Sequence, residues 1–199
     1  MERVPMVTEW ISALSSFVSA LAVVGGVFFA SRQLDSWRNQ SQQTRSRELA
    51  EEIWANAHKI LDAFYMLRNP LSQVPISEVK NRTYIYERRL SLLREKDVLF
   101  DGMRELQIRA KSILREPKVD NAIDAMFAAR AELVYNLEEI IELQADVKDL
   151  DADSRTILVE ARKIAFGRFD TKDEFGTRLN EKLSILEALL GPVIRLSKS

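Results

Sequence analysis

Residues 10–30 run for 21 positions without a charge, WISALSSFVSALAVVGGVFFA, and no other stretch of the chain matches them. At about 1.5 Å of rise per residue, a helix of that length measures roughly 32 Å, close to the hydrocarbon thickness of a bilayer. The pattern predicts one transmembrane crossing. Residues 32–47 (RQLDSWRNQSQQTRSR) then turn almost wholly polar, with neither proline nor glycine to stop a helix. They read as a solvated helical stalk, with a flexible linker as the alternative.

Past the stalk, apolar positions recur at three- and four-residue intervals, the mark of amphipathic helices. Leu49, Ile53, Ala57, Ile60, Phe64 and Leu67 form the first stripe, which Asn69-Pro70 ends. A second helix is expected over 77–116, capped by Ser77 and stopped by Pro117. Its inward stripe is Ile85, Leu92, Leu99, Met103, Leu106, Ala110 and Ile113. A third covers 119–147 on Ile123, Met126, Ala129, Leu133, Leu137, Ile140 and Gln144. After an acidic turn comes a short fourth on Ile157, Leu158, Ala161, Ile164 and Ala165, ending at Gly167. Thr171 and Glu174 have capping-box spacing and open a fifth. Its stripe is Phe175, Leu179, Leu183, Leu186, Leu190 and Val193, and Gly191-Pro192 kinks or ends it.

No segment alternates with period two. The expected fold class is all-α: a single N-terminal transmembrane helix continuing into a stalk and a cytosolic four- to five-helix bundle. The divisions are an anchor at 1–31, a stalk at 32–48 and the bundle at 49–199.

Charge adds direction to this picture. Glu2, Arg3 and Glu9 precede the apolar run; Arg32, Arg38, Arg45 and Arg47 follow it against Asp35 alone. Basic residues stay on the cytoplasmic side. The reading is a single-pass membrane protein with its N-terminus outside and its C-terminal domain cytoplasmic. A secretory signal peptide is the competing reading, but the basic lead-in is weak and apolar residues continue through Phe28 and Phe29. The net charge of −1 gives no general attraction to nucleic acid.

Candidate chemistry is sparse. The chain has no cysteine, which excludes disulfides, thiolate metal sites and cysteine nucleophiles, and its one histidine is His58. No phosphate-binding glycine loop occurs. A nuclease of the HEPN type needs an arginine four to six residues from a histidine. The eligible positions before His58 are Glu51, Glu52 and Ile53, so that reading fails. The chain is read as non-enzymatic, with no cofactor and no metal.

Three patterns remain. Ser12, Ser15, Ser19, Ala22 and Gly26 recur at intervals of 3, 4, 3 and 4, so small residues line one face of the apolar helix. In lipid such a face lets helices approach closely, and hydroxyls can bond across it. These five residues are the expected oligomerisation seam. The turn DLDADS, at 149–154, puts Asp149, Asp151, Asp153 and Glu160 at EF-hand positions 1, 3, 5 and 12, yet Ser154 stands where that loop needs glycine. A helix cap at Asp153 or Ser154 is the simpler reading, and no tight calcium site is expected. Finally, residues 138–153 carry a net −6, with Glu138, Glu142 and Asp146 on one face, while 82–115 carries a net +4. These two regions are expected to pack on each other.

On WISALSSFVSA and RQLDSWRNQSQQTRSRELA, the layout resembles small bacterial membrane proteins that join an N-terminal span and a glutamine- and arginine-rich stalk to a helical cytosolic domain. Some of these belong to prophage and antiviral defence loci, and the membrane accessory protein of type VI-B CRISPR systems is similar in plan. That resemblance implies a location in the bacterial inner membrane and a membrane effector that oligomerises into a pore. The implied partners are the lipid bilayer, further copies of the chain, and a cytosolic protein if the chain instead serves as an anchor or adaptor.

Overall fold

A computed structural model describes residues 4–71, 73–145, 151–167 and 173–195; before residue 21, side chains are described only at Ser15 and Phe17. The described residues form six α-helices, one 3₁₀ turn and no strand. The helices are α1 (Val4–Leu67), α2 (Tyr84–Glu95), α3 (Asp97–Ile113), α4 (Pro117–Ala145), α5 (Ala152–Ala165) and α6 (Glu174–Arg195), with the 3₁₀ turn at Ile76–Glu78. Two compact units divide the chain, Met1–Arg45 and Ser46–Ser199.

The first unit is the leading part of α1. Every described side chain in 21–40 is exposed, among them Val23, Val24, Val27, Phe28 and Phe29. Among the described residues no helix is long and apolar enough to cross a membrane. The side chains of the first half of the uncharged run mostly lie outside them. The remainder, 21–30, has about half the roughly 20 residues a span needs.

The second unit is a helical bundle. Its core takes the whole first stripe, Leu49 to Leu67, and α4 contributes Ile123, Met126, Ala129, Leu133, Leu137 and Ile140 as expected. The described part of α4 packs on α2, α3, α5 and α6. Gln144 is only half-buried. Oriented to satisfy both neighbours, its amide donates to the Arg82 carbonyl and accepts from the Arg162 guanidinium. In α6, Phe175, Leu179, Leu183, Leu186 and Leu190 are buried, and the helix continues through Pro192 to Arg195 rather than ending there. Proline only deprives the Ala188 carbonyl of its partner, and Ala188 is exposed to water. In α5, Leu158, Ala161 and Ala165 are buried as expected, whereas Ile157 is exposed.

The helix expected over 77–116 is two helices. Ser77 lies within the 3₁₀ turn, and the start of α2 is instead held by Asn81, whose Oδ1 accepts from the Thr83 and Tyr84 N–H groups. The break falls at Lys96, whose backbone (φ −91°, ψ 4°) leaves the helical region while its N–H reaches back three residues to Leu93. The buried seam is Tyr86, Arg89, Leu93, Phe100, Met103, Gln107 and Ala110. Much of the expected stripe sits one position earlier: Ile85, Leu92, Leu99 and Leu106 are only half-buried, and Ile113 is exposed. Arg89 and Gln107 are polar, which hides the true seam from a search for apolar positions. Pro117 does not merely stop a helix; it opens α4, where its missing N–H costs nothing. The chain turns before it through Arg115, in the left-handed region at φ 53°.

Four elements meet around Arg68, just beyond the end of α1. Its side chain is 2% exposed and donates to the carbonyls of Ile164 (2.7 Å), Lys163 (3.3 Å) and Phe166 (3.4 Å). Its two terminal nitrogens grip Asp173 at 2.7 and 3.0 Å. Arg89 of α2 donates to the carbonyls of Ala165 and Asn69, both at 2.6 Å. Two guanidinium groups thus satisfy four consecutive carbonyls at the C-terminus of α5, where the helix dipole favours cations. Asp173 in turn accepts from the Gly176 N–H at 3.1 Å and so caps α6. Thr171, the expected capping residue, lies outside the described residues.

This joint predicts two outcomes in urea unfolding of the full chain. Arg68→Ala strands a half-buried carboxylate and three carbonyls and should cost about 3–5 kcal/mol; Arg68→Lys, which keeps the charge without the fork, should not restore stability. Gly176→Ala places a Cβ 2.6 Å from the Asp173 carboxylate and should cost about 1–3 kcal/mol, since Arg68 holds that carboxylate in place. Wild-type midpoints for Arg68→Lys and Gly176→Ala would refute the account.

Candidate functional site

The sequence-level candidates do not converge on one site. On the apolar helix, the side chains of Ser12 and Ser19 lie outside the described residues, while Ser15, Ala22 and Gly26 are exposed. A Cβ added at Gly26 would meet nothing within 4 Å.

Asp149 and Asp146 lie outside the described residues. The cap of α5 is Asp151, not Asp153 or Ser154: its Oδ1 accepts from the Ser154 N–H at 2.7 Å. That backbone hydrogen bond is the main reason its carboxyl titrates below the usual value. Among the described residues no three histidine, aspartate or glutamate side chains gather as metal ligands. His58 meets Trp54 edge-on at 5.3 Å, an ordinary packing contact.

The two regions do meet, at the Gln144 amide and the Arg82 carbonyl, but the ion pairs of the basic segment are made elsewhere. Arg104 reaches Asp124 (3.6 Å), Lys111 reaches Asp120 (3.3 Å) and Arg109 reaches Glu52 (2.7 Å), while Asp97 within the segment takes Arg130 of α4 (2.5 Å). The carboxylates its bases use lie at 52, 120 and 124, all before the acidic stretch. That stretch keeps Glu138 and Glu142 exposed, and neither forms an ion pair among the described residues. Tyr135, 64% exposed, lies on the same face of α4. Its hydroxyl is pushed above the usual range by its hydrogen bond to Glu139.

The feature the sequence did not point to is a groove of about 460 Å³ between the end of α1, the loop after it, and α2. The spacing that places Arg89 in the buried seam also turns Ile85, Arg88 and Leu92 toward this groove. Met66, Val74 and Pro75 form the opposite wall, and the lining contains two arginines and no carboxylate. Arg89 is 3% exposed and lies 4.0 Å over the Phe166 ring. Burial lowers its pKa to about 10, so it remains charged in neutral solution, fixed on the carbonyls it serves. Arg88 is different. It is exposed and makes no ion pair or hydrogen bond among the described residues. A free guanidinium beside an aliphatic wall suits a carboxylate carried on an apolar surface. The groove supplies no general base or nucleophile; it can bind. No family model, curated protein or solved structure matches the chain.

Neighbouring arginines should therefore respond in opposite ways. Arg88→Ala should stay within about 0.5 kcal/mol of wild type, as exposed unpaired side chains do. Arg89→Ala, which strands two carbonyls, should cost about 2–3 kcal/mol. Equal effects in a denaturant titration would contradict the assignment.

Proposed function

We propose that the chain is a non-enzymatic membrane effector: it crosses the bacterial inner membrane once through residues 10–30, oligomerises along Ser12, Ser15, Ser19, Ala22 and Gly26, and permeabilises the bilayer, in an antiviral or related defence role. The observation that carries the reading is the exposure of the described apolar side chains around α1. Phe17, Leu21, Val23, Val24, Val27, Phe28 and Phe29 are each at least 57% exposed. Such a surface in water far exceeds what a soluble monomer tolerates; lipid or other copies must cover it. Arg32, Arg38 and Arg45, exposed and without ion pairs among the described residues, supply free cations for the cytoplasmic headgroups.

A single helix encloses no channel, so permeabilisation calls for several copies, each turning a hydroxyl row inward. Gly26, with open space beside it, lets neighbours close up. An anchor or adaptor that recruits a cytosolic protein is the second reading, favoured by the groove beside Arg88.

Two experiments test these readings. A C-terminal reporter active only in the periplasm should stay silent; activity would invert the topology. Replacing residues 10–30 by an unrelated monomeric span should abolish the cellular phenotype and dye leakage while the protein still reaches the membrane. An unchanged phenotype would sink the effector reading in favour of the anchor.

A further inference from the structure

We propose that the groove beside Arg88 is the docking site for a second copy of this chain, whose α4 lays Tyr135, Glu138 and Glu142 into it. Each surface, taken alone, is incomplete. The groove offers the unpaired Arg88 guanidinium between aliphatic walls formed by Val74, Ile85 and Leu92, and its lining holds no acid. The α4 face offers two exposed carboxylates without ion pairs among the described residues, beside a large exposed aromatic ring. Within one copy no ion pair among the described residues joins the two. Three bases of the basic segment, Arg104, Arg109 and Lys111, find carboxylates within the copy, at Asp124, Glu52 and Asp120, and none of these is Glu138 or Glu142. The segment after α1 that supplies Val74 and Pro75 also exposes apolar side chains that water would ordinarily penalise: Leu71 is 75% exposed and Ile76 95%.

A groove on one copy and a different face on the next make a heterologous contact, which closes into a ring or continues as a chain. Ring closure is the arrangement in which several spans run parallel about one axis. The inference therefore rests on the oligomeric reading above and gives it a second, soluble contact. Opposite charges at the edge of such a contact steer association and make it sensitive to salt.

The test is charge reversal on the full chain, read by sedimentation in detergent. Arg88→Glu alone, and Glu138→Arg with Glu142→Arg alone, should each weaken assembly about tenfold or more. Mixing the two variant proteins should restore it, because each groove then meets a face of opposite charge. Recovery on mixing separates a broken contact from a misfolded chain. Reversal variants that assemble like wild type, or that fail to recover on mixing, overturn the docking site. The seam variant Ser19→Ile with Gly26→Ile, run alongside, keeps the two ideas apart. If it dissociates while the reversals do not, the oligomeric reading stands and the groove contact falls. A wild-type chain that is monomeric throughout sinks both.

Discussion

The bundle depends on how the C-terminus of α5 is satisfied. Four carbonyls in a row, 163–166, end there, and all of them are answered by two buried arginines from distant parts of the chain. Neither guanidinium serves α5 alone. Arg68 also holds the carboxylate that caps α6, and Arg89 also holds the Asn69 carbonyl just past α1. A single polar cluster therefore fixes where α1 stops, where α5 stops, where α6 starts, and how α2 is rotated. Aromatic rings shield it: Arg68 lies 4.3 Å over Phe175 and Arg89 4.0 Å over Phe166. Burying two cations would be ruinous without acceptors; here the negative end of a helix and one carboxylate provide them.

The groove follows from that rotation. With Arg89 drawn inward, Arg88 and the Ile85–Leu92 ridge turn outward beside the loop that leaves α1. The same sequence could place Ile85 and Leu92 in the core, and apolar periodicity alone favours that choice. The arginine's hydrogen bonds decide against it.

This explains what the sequence made legible. Where the core seam is wholly apolar, as in 49–67, 123–140 and 175–190, periodicity located each helix and the buried side chains on it. Where the seam includes Arg89 and Gln107, the inferred face of α2 and α3 was displaced by a residue, and the break at Lys96 left no proline or glycine to mark it. Arg68, next to Leu67 at the end of an apolar stripe, carries a charge, and charged residues are seldom buried. A signal was available: it continues the stripe at the four-residue spacing from Phe64. The groove was invisible for another reason. It forms where a loop without periodicity folds against a helix, and no local pattern encodes that meeting. The small-residue line of the apolar helix is readable from spacing alone.

The choice of arginine at the joint also limits what can change its state. A guanidinium keeps its proton at any pH a cell reaches, and acetylation, a lysine modification, does not act on it. The chain has no thiol to oxidise, and its only imidazole lies against Trp54 rather than at the joint. Acidification across the physiological range and redox stress therefore leave this cluster as it stands.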